Sequence, residues 1–193
     1  QVKNMDLKIY SNVGLEEELV VESSFAPNGK RVDPQQVIEF DWWDRQAVKD
    51  AIITCTPAQH WSKRTPFDTN QALWSGWAVQ IADFSLWFAG DTGYNPIHFK
   101  EIGQHFNGFD LALIPIGAYA PRWFMKIGHI NPEEAVKIHQ EVKAVRSMGI
   151  HWGTFPLTSE PVDEPPERLK SALSNAGLSH NQFEAWAVGE MRR

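Results

Sequence analysis

Residues 86–94 read Leu86-Trp87-Phe88-Ala89-Gly90-Asp91-Thr92-Gly93-Tyr94, and the fold turns on how they are read. An apolar run ends at a glycine, and a carboxylate follows at once in a turn-forming tetrad. Leu86 to Ala89 suits a pleated, largely buried strand, so Asp91 stands where a rigid strand yields to an open loop. Two imidazoles share that format. His60 comes shortly after the apolar strand Ala51 to Thr56, which Pro57 stops, and His151 ends the stretch Ser147-Met148-Gly149-Ile150. Side chains at strand ends keep their geometry while the loops beyond them admit a ligand. Two histidines and one aspartate suit zinc, which accepts nitrogen and oxygen donors. Each also has a plainer reading: aspartate caps turns through its own side chain, and a histidine near a strand end is commonly a hydrogen-bonded structural residue.

Outward from this stretch, strands and helices alternate. Leu73 to Ile81 and Leu86 to Ala89 read as neighbouring strands joined at Ala82-Asp83, and Val37 to Phe40 is a strand ahead of them. Residues 58–70 are polar and read as loop. A helix is expected over about Ile97 to Phe106, entered through Pro96, followed by the continuous apolar strand Leu111 to Ile116. Asn131-Pro132-Glu133-Glu134 combines an N-cap, a first-turn proline and acids facing the helix dipole. Ala135, Ile138, His139, Val142 and Val145 then recur at helical spacing. Met148 to Trp152 is a short strand, Pro165-Pro166-Glu167 opens a last helix closing at Ala176-Gly177, and Phe183 to Val188 is a final strand. Nearer the N-terminus, Met5 to Tyr10 suits a short strand, Leu15 to Val21 a short helix or strand, and residues 27–30 a turn. Alternation without repeat or linker argues an α/β layered sheet, with residues 1–193 as one folding unit.

Composition narrows the function. The 193 residues carry a net charge of −6 and no basic cluster longer than Lys63-Arg64 or Arg192-Arg193, so nucleic acid is not an expected partner. An anionic-membrane patch of the polybasic kind is missing as well. No apolar run reaches the length of a membrane-spanning helix. The single cysteine, Cys55, excludes an intrachain disulfide and fits a reducing compartment; it reads as a buried small hydrophobe. Nine tryptophans, spread from Trp42 to Trp186, read either as core or as an apolar wall facing a ligand.

Several longer motifs agree with one family. Phe88 to Tyr94 resembles the bridging-aspartate motif of metallo-β-lactamase-fold hydrolases. Pro57-Ala58-Gln59-His60-Trp61, Pro115-Ile116-Gly117-Ala118-Tyr119 and Pro121-Arg122-Trp123-Phe124-Met125 resemble its N-acyl-phosphatidylethanolamine phospholipase D branch. So do Asp41-Trp42-Trp43, His129-Ile130-Asn131-Pro132-Glu133-Glu134-Ala135 and Ile150-His151-Trp152-Gly153-Thr154-Phe155, in the expected order over about residues 37–180. The resemblance implies an αββα sandwich, two mixed sheets between helical layers, with this chain holding its C-terminal portion. It implies two zinc ions, His60 on the first, His151 on the second and Asp91 bridging both. His129 matches a residue near the reaction centre that contacts the substrate phosphate or donates a proton, so Asp91 and His129 are the implied catalytic pair. Tyr119, Arg122, Trp123 and Phe124 would border the substrate pocket, although Arg122 read alone suits a surface ion pair. The implied reaction is hydrolysis of N-acyl-phosphatidylethanolamine to phosphatidic acid and an N-acylethanolamine.

The family's His-x-His-x-Asp-His signature is not matched, since no histidine precedes His60. The chain is therefore expected to be a truncated piece lacking the upstream part of the zinc site, and inactive alone. Its expected partners are a membrane phospholipid as substrate and either a second copy of the chain or the missing N-terminal half, in an intracellular setting, cytoplasmic or peripheral to a membrane. Two alternatives stay open: another hydrolase of the same fold, such as a lactonase, and a zinc-free binding or scaffold module.

Overall fold

The core is organised by Trp87. It shares one face of the sheet with Ala78 on one neighbouring strand and Ala112 on the other, and the row continues through Ser147 to Phe183. The small residues on either side leave room for an indole that is fully buried and whose Nε1–H donates to the Thr56 hydroxyl at 3.0 Å. Phe99 and Phe109 pack against it at centroid distances of 6.0 and 6.2 Å. Truncating a core aromatic of this kind costs about 3–5 kcal/mol.

The computed structural model describes residues 8–9, 37–63, 65–187 and 189–191. Among them the strands are β1 (Lys8–Ile9), β2 (Val37–Ile38), β3 (Arg45–Val48), β4 (Ala51–Pro57), β5 (Ser75–Ile81), β6 (Phe84–Phe88), β7 (Phe109–Pro115), β8 (Ala144–Ile150) and β9 (Phe183–Glu184). The helices are α1 (His98–His105), α2 (Arg122–Met125), α3 (Pro132–Glu141) and α4 (Glu164–Asn175). The expectations for Leu15 to Val21 and for the turn at residues 27–30 lie outside the described residues.

β1 and β2 form a parallel pair, and β3 to β9 form a seven-stranded sheet in chain order. β3 to β6 run antiparallel as a meander. β6 to β9 are parallel, each joined to the next by a crossover through a helix, which a right-twisted sheet places on one side. The apolar residues of α1, α3 and α4 close over the Trp87 row in a single cluster. The opposite face carries Trp77, Val79, Leu86, Phe88, Leu111, Leu113 and Met148, all partly exposed. That is an α/β layered sheet: the described residues supply one large mixed sheet and its helical layer, with an apolar outer face of the kind a second sheet would cover in the αββα sandwich that the resemblance implies.

Local chemistry accounts for the helix ends. At α3 the Asn131 side chain accepts from the Glu134 N–H at 2.9 Å, and Glu134 accepts from the Asn131 N–H at 3.1 Å, a reciprocal capping box. At the end of α4, Leu178 N–H returns to Leu173 O and Gly177 N–H to Ser174 O, with Gly177 at φ +70°, the glycine-closed stop its sequence predicts. Helix α3 ends at Glu141, short of its expected length. Lys143 adopts φ +55°, so Val145 leaves the helical register and stands exposed on β8. Cys55 is fully buried, and burial pushes its thiol up to about 11, consistent with an inert core position. His139 is buried and bonds Ser147 at 2.8 Å; burial lowers its pKa, which favours a neutral structural ring.

Candidate metal centre

The register of the sheet gathers the predicted ligands at one edge. β4 is antiparallel to β5 and β5 to β6, so β4, β6, β7 and β8 all point the same way. Their C-terminal ends lie together, the side from which open α/β sheets bind ligands. His60 follows β4, Asp91 follows β6, His129 lies on the connection after β7, and His151 follows β8.

Their side chains meet there. His60, Asp91 and His129 each offer a ligand atom within 4.8 Å of the others', and His151 Nε2 lies 3.4 Å from Asp91 Oδ1. The His129 ring stands edge-on to His60 at 5.1 Å and stacks on His151 at 5.5 Å. His129 thus sits between the His60 and His151 rings. His60 Nδ1 is 2.8 Å from the Trp61 carbonyl. A carbonyl only accepts, so Nδ1 is the donor there, and in the neutral ring Nε2 is the atom that offers a lone pair. That Nε2 is buried with no hydrogen-bond partner, as is His129 Nδ1. A buried polar atom left so costs about 1–3 kcal/mol, and a cation at the cluster is a natural partner for a lone pair such as that of His60. Burial lowers the His129 pKa, Asp91 opposes, and the neighbouring His60 and His151 lower it further. Asp91 itself stays open to solvent, which leaves the cluster a way in. These donors, two or three imidazoles and a carboxylate, fit a divalent metal of the kind the fold implies.

Glycines let the ligand loops approach this closely. A Cβ on Gly93 would collide with the Ile127 carbonyl and stand 2.7 Å from Gln59 Nε2. One on Gly117 would collide with the carbonyl of His151, which holds φ +59°. Thr92, fully buried next to Asp91, accepts the Gln59 N–H at 2.9 Å and donates to the Gly93 carbonyl at 2.8 Å.

The loop after β7 divides its residues between support and surface. Tyr119 is buried and its hydroxyl donates to Glu164 at 2.6 Å; burial, with Glu164 alongside, raises its pKa. Arg122 forks onto both Glu134 oxygens at 2.9 and 2.8 Å and donates to the His129 carbonyl at 2.7 Å. The ion pair of its plainer reading is present. Trp123 and Phe124, by contrast, are 77% and 63% exposed on α2. Glu160 and Glu134 are supports that sequence reasoning passes over. Glu160 accepts the Tyr119 and Ala120 N–H groups at 3.1 and 3.0 Å. Burial alone would raise its pKa, yet bonds from Thr158 and these backbone groups hold it below the usual carboxylate range. Beside His151 lies a small open groove whose lining includes Trp152, Phe155, Leu157 and Val162 together with Thr158 and Glu160. Of the tryptophans, Trp87 is core, while Trp61, stacked beside His60, and Trp123 are exposed.

Comparison with known proteins agrees with this picture. The family described as Beta-lactamase superfamily domain matches residues 2–152. The chain is 45% identical over 161 residues to N-acyl-phosphatidylethanolamine-hydrolyzing phospholipase D 1 of Caenorhabditis elegans, covering 80% of this chain and 45% of that protein. It is 42% identical over 148 residues to the mitochondrial enzyme of the same name from Saccharomyces cerevisiae, covering 74% of this chain and 32% of that one. The chain thus spans less than half the length of either curated relative. Among solved structures, Igni18, a metallo hydrolase of Ignicoccus hospitalis, superposes with a TM-score of 0.58 at 22% identity, over 80% of this chain and 59% of that chain. The metallo-β-lactamase fold protein YhfI of Bacillus subtilis does so with a TM-score of 0.62 at 16% identity, over 100% and 68%. At these identities the structures speak for the fold alone.

Proposed function

This chain belongs to the β-lactamase superfamily domain family, and on that premise we propose that the whole protein is a zinc-dependent phosphodiesterase acting on N-acyl-phosphatidylethanolamine. The observation that carries the reading is the convergence of His60, Asp91, His129 and His151 at one sheet edge, in a chain similar to enzymes named for that reaction. Zinc, when bound, supplies Lewis acidity and an activated water. His60, His151 and the Asp91 carboxylate would be this chain's donors to the two zinc ions, the two histidines serving different ions. In the reaction the bond from phosphorus to the ethanolamine oxygen breaks, the oxygen of water joins phosphorus, and a proton reaches the departing oxygen. His129 lies beside Asp91 and both other rings, where it would steady a phosphoryl oxygen or deliver that proton. The Arg122 fork holds the His129 carbonyl and sets that ring's backbone in place.

Among the described residues no helix is long and apolar enough to cross a membrane. A phospholipid substrate would be met at a bilayer surface. Trp123 and Phe124 present apolar area there. Trp123→Ala is expected to raise KM for long-chain lipids by about 5–30-fold, about 1–2 kcal/mol of lost apolar contact, and to change KM for a short soluble diester little. Equal effects on both would mean simple packing.

The grouping of His60, Asp91 and His129 within 4.8 Å favours a second reading, in which His129 is itself a ligand. His129→Ala separates them. As a substrate-facing group its loss should leave the zinc content of the full-length protein unchanged and lower kcat by about 10²–10⁴-fold. Loss of one metal equivalent would assign it to the metal. Turnover of soluble lactones in place of the lipid would shift the assignment to a lactonase of the same fold, and a full-length protein that binds no metal would leave the scaffold alternative.

A further inference from the structure

We infer that Gln59 is a positioning residue that fixes the spacing of the loops bearing His60, Asp91 and His129. The inference rests on the metal-centre reading above. Gln59 adjoins His60 in sequence and reaches the other two loops with both its backbone and its side chain. Its N–H donates to Thr92 Oγ1 at 2.9 Å and its carbonyl accepts the Gly93 N–H at 2.7 Å, on the two residues that follow Asp91. Its side-chain Nε2 donates to the Ile127 carbonyl at 2.9 Å, two residues before His129. Its Oε1 accepts from Asn95 Nδ2 at 3.3 Å, farther along the Asp91 loop.

The three loops are in direct contact where this residue joins them. A Cβ on Gly93 would run into the Ile127 carbonyl, and one on Gly128 would lie 3.3 Å from the His60 ring. With no side chain to fill or adjust these gaps, the loop separation is set by hydrogen bonds. An amide supplies a donor at one tip atom and an acceptor at the other, as Ile127 and Asn95 require. Methionine has the same length and offers neither. Glutamate keeps the acceptor but turns a carboxylate oxygen toward a carbonyl. Changing the side chain spares the backbone bonds to Thr92 and Gly93, so the local fold has a means of surviving while the reach to the His129 segment is lost.

The test uses the full-length protein as wild type, Gln59→Met and Gln59→Glu, equilibrated against a graded chelator series and analysed for bound zinc. Both variants are expected to release zinc at about 10–100-fold lower chelator strength, the usual cost of losing a partner that orients ligands. The melting temperature of the metal-stripped proteins should stay within about 2 °C of wild type. A cobalt-substituted variant should also show altered d–d absorption, because the ligand geometry changes. Wild-type zinc retention in Gln59→Met overturns the inference, as does a stripped-protein melting temperature that falls in step with retention. If the methionine variant does not fold, the glutamate variant, equal in size and polar, is read by the same criteria. A wild-type protein that holds no metal overturns the centre itself, an outcome distinct from failure at Gln59.

Discussion

Asp91→Asn is expected to abolish nearly all turnover in the full-length protein while leaving its folded stability almost unchanged. The carboxylate lies within ligand reach of His60 and His129 and 3.4 Å from His151 Nε2. It is the only carboxylate in that group. An amide of the same shape carries no charge and is a poor zinc ligand. Loss of metal-borne charge stabilisation worth about 4 kcal/mol corresponds to about a 10³-fold fall in kcat. The turn itself should persist, since its ordering bonds run through Thr92 and through the backbone of Gln59 and Gly93. The side chain is exposed enough that its replacement should move stability by no more than about 0.5 kcal/mol. Turnover and thermal melting measured side by side decide the matter. Equal losses in both would mark Asp91 as a turn residue, and near-normal turnover would remove it from the chemistry.

Gly103→Ala should produce the largest stability loss of any single added methyl, and its sign runs against helix propensity. In an exposed helix the change gains roughly 1 kcal/mol. Gly103 is instead buried on α1 where that helix meets the end of α3. A Cβ there would collide with the Glu141 carbonyl and stand 2.9 Å from Val142 Cα. Both obstacles are backbone, so α1 and α3 must move apart, and overpacking of this sort costs about 1–3 kcal/mol or more. For a chain of this size that is a fall in melting temperature of several degrees, about 2–4 °C per kcal/mol. A calorimetric rise would show that the two helices are not in the contact described.

What the sequence discloses here depends on how local the signal is. The N-cap and first-turn proline of α3 and the glycine stop of α4 are written within a few residues, and both are read correctly from them, while the reciprocal Glu134 bond that completes the cap is seen only in the structure. The hairpin of β5 and β6 is equally local. β3 escapes notice because Arg45–Val48 lies at the sheet edge with mostly exposed side chains, so its membership rests on backbone pairing with β4. Val145 is misassigned because its spacing from Val142 continues a helical pattern that Lys143 has already broken. At the centre, the strand-end format marks His60, Asp91 and His151 as candidates, and resemblance adds His129. That these rings converge on one another is visible only once β4, β6, β7 and β8 are known to be co-directional. Arg122 shows the limit most plainly. An arginine beside exposed aromatics suits a phosphate, and nothing in the spacing reveals that Glu134, twelve positions on, holds it at 2.8 Å.

The chain-order arrangement of β3 to β9 has a consequence for how the molecule assembles. Each strand of the sheet pairs with the next one in the chain, across a tight turn, the loop of residues 58–74 or a helical crossover, so no pairing waits on a distant segment and loop-closure entropy stays moderate. A nascent chain can extend the sheet one strand at a time as it leaves the ribosome. The ligands are delivered on the same schedule, His60 behind β4, Asp91 behind β6, His129 after β7 and His151 behind β8. Under the proposed metal-centre reading, the donors this chain supplies would be assembled only once β8 docks, so metal capture would follow that pairing and ion uptake would report it.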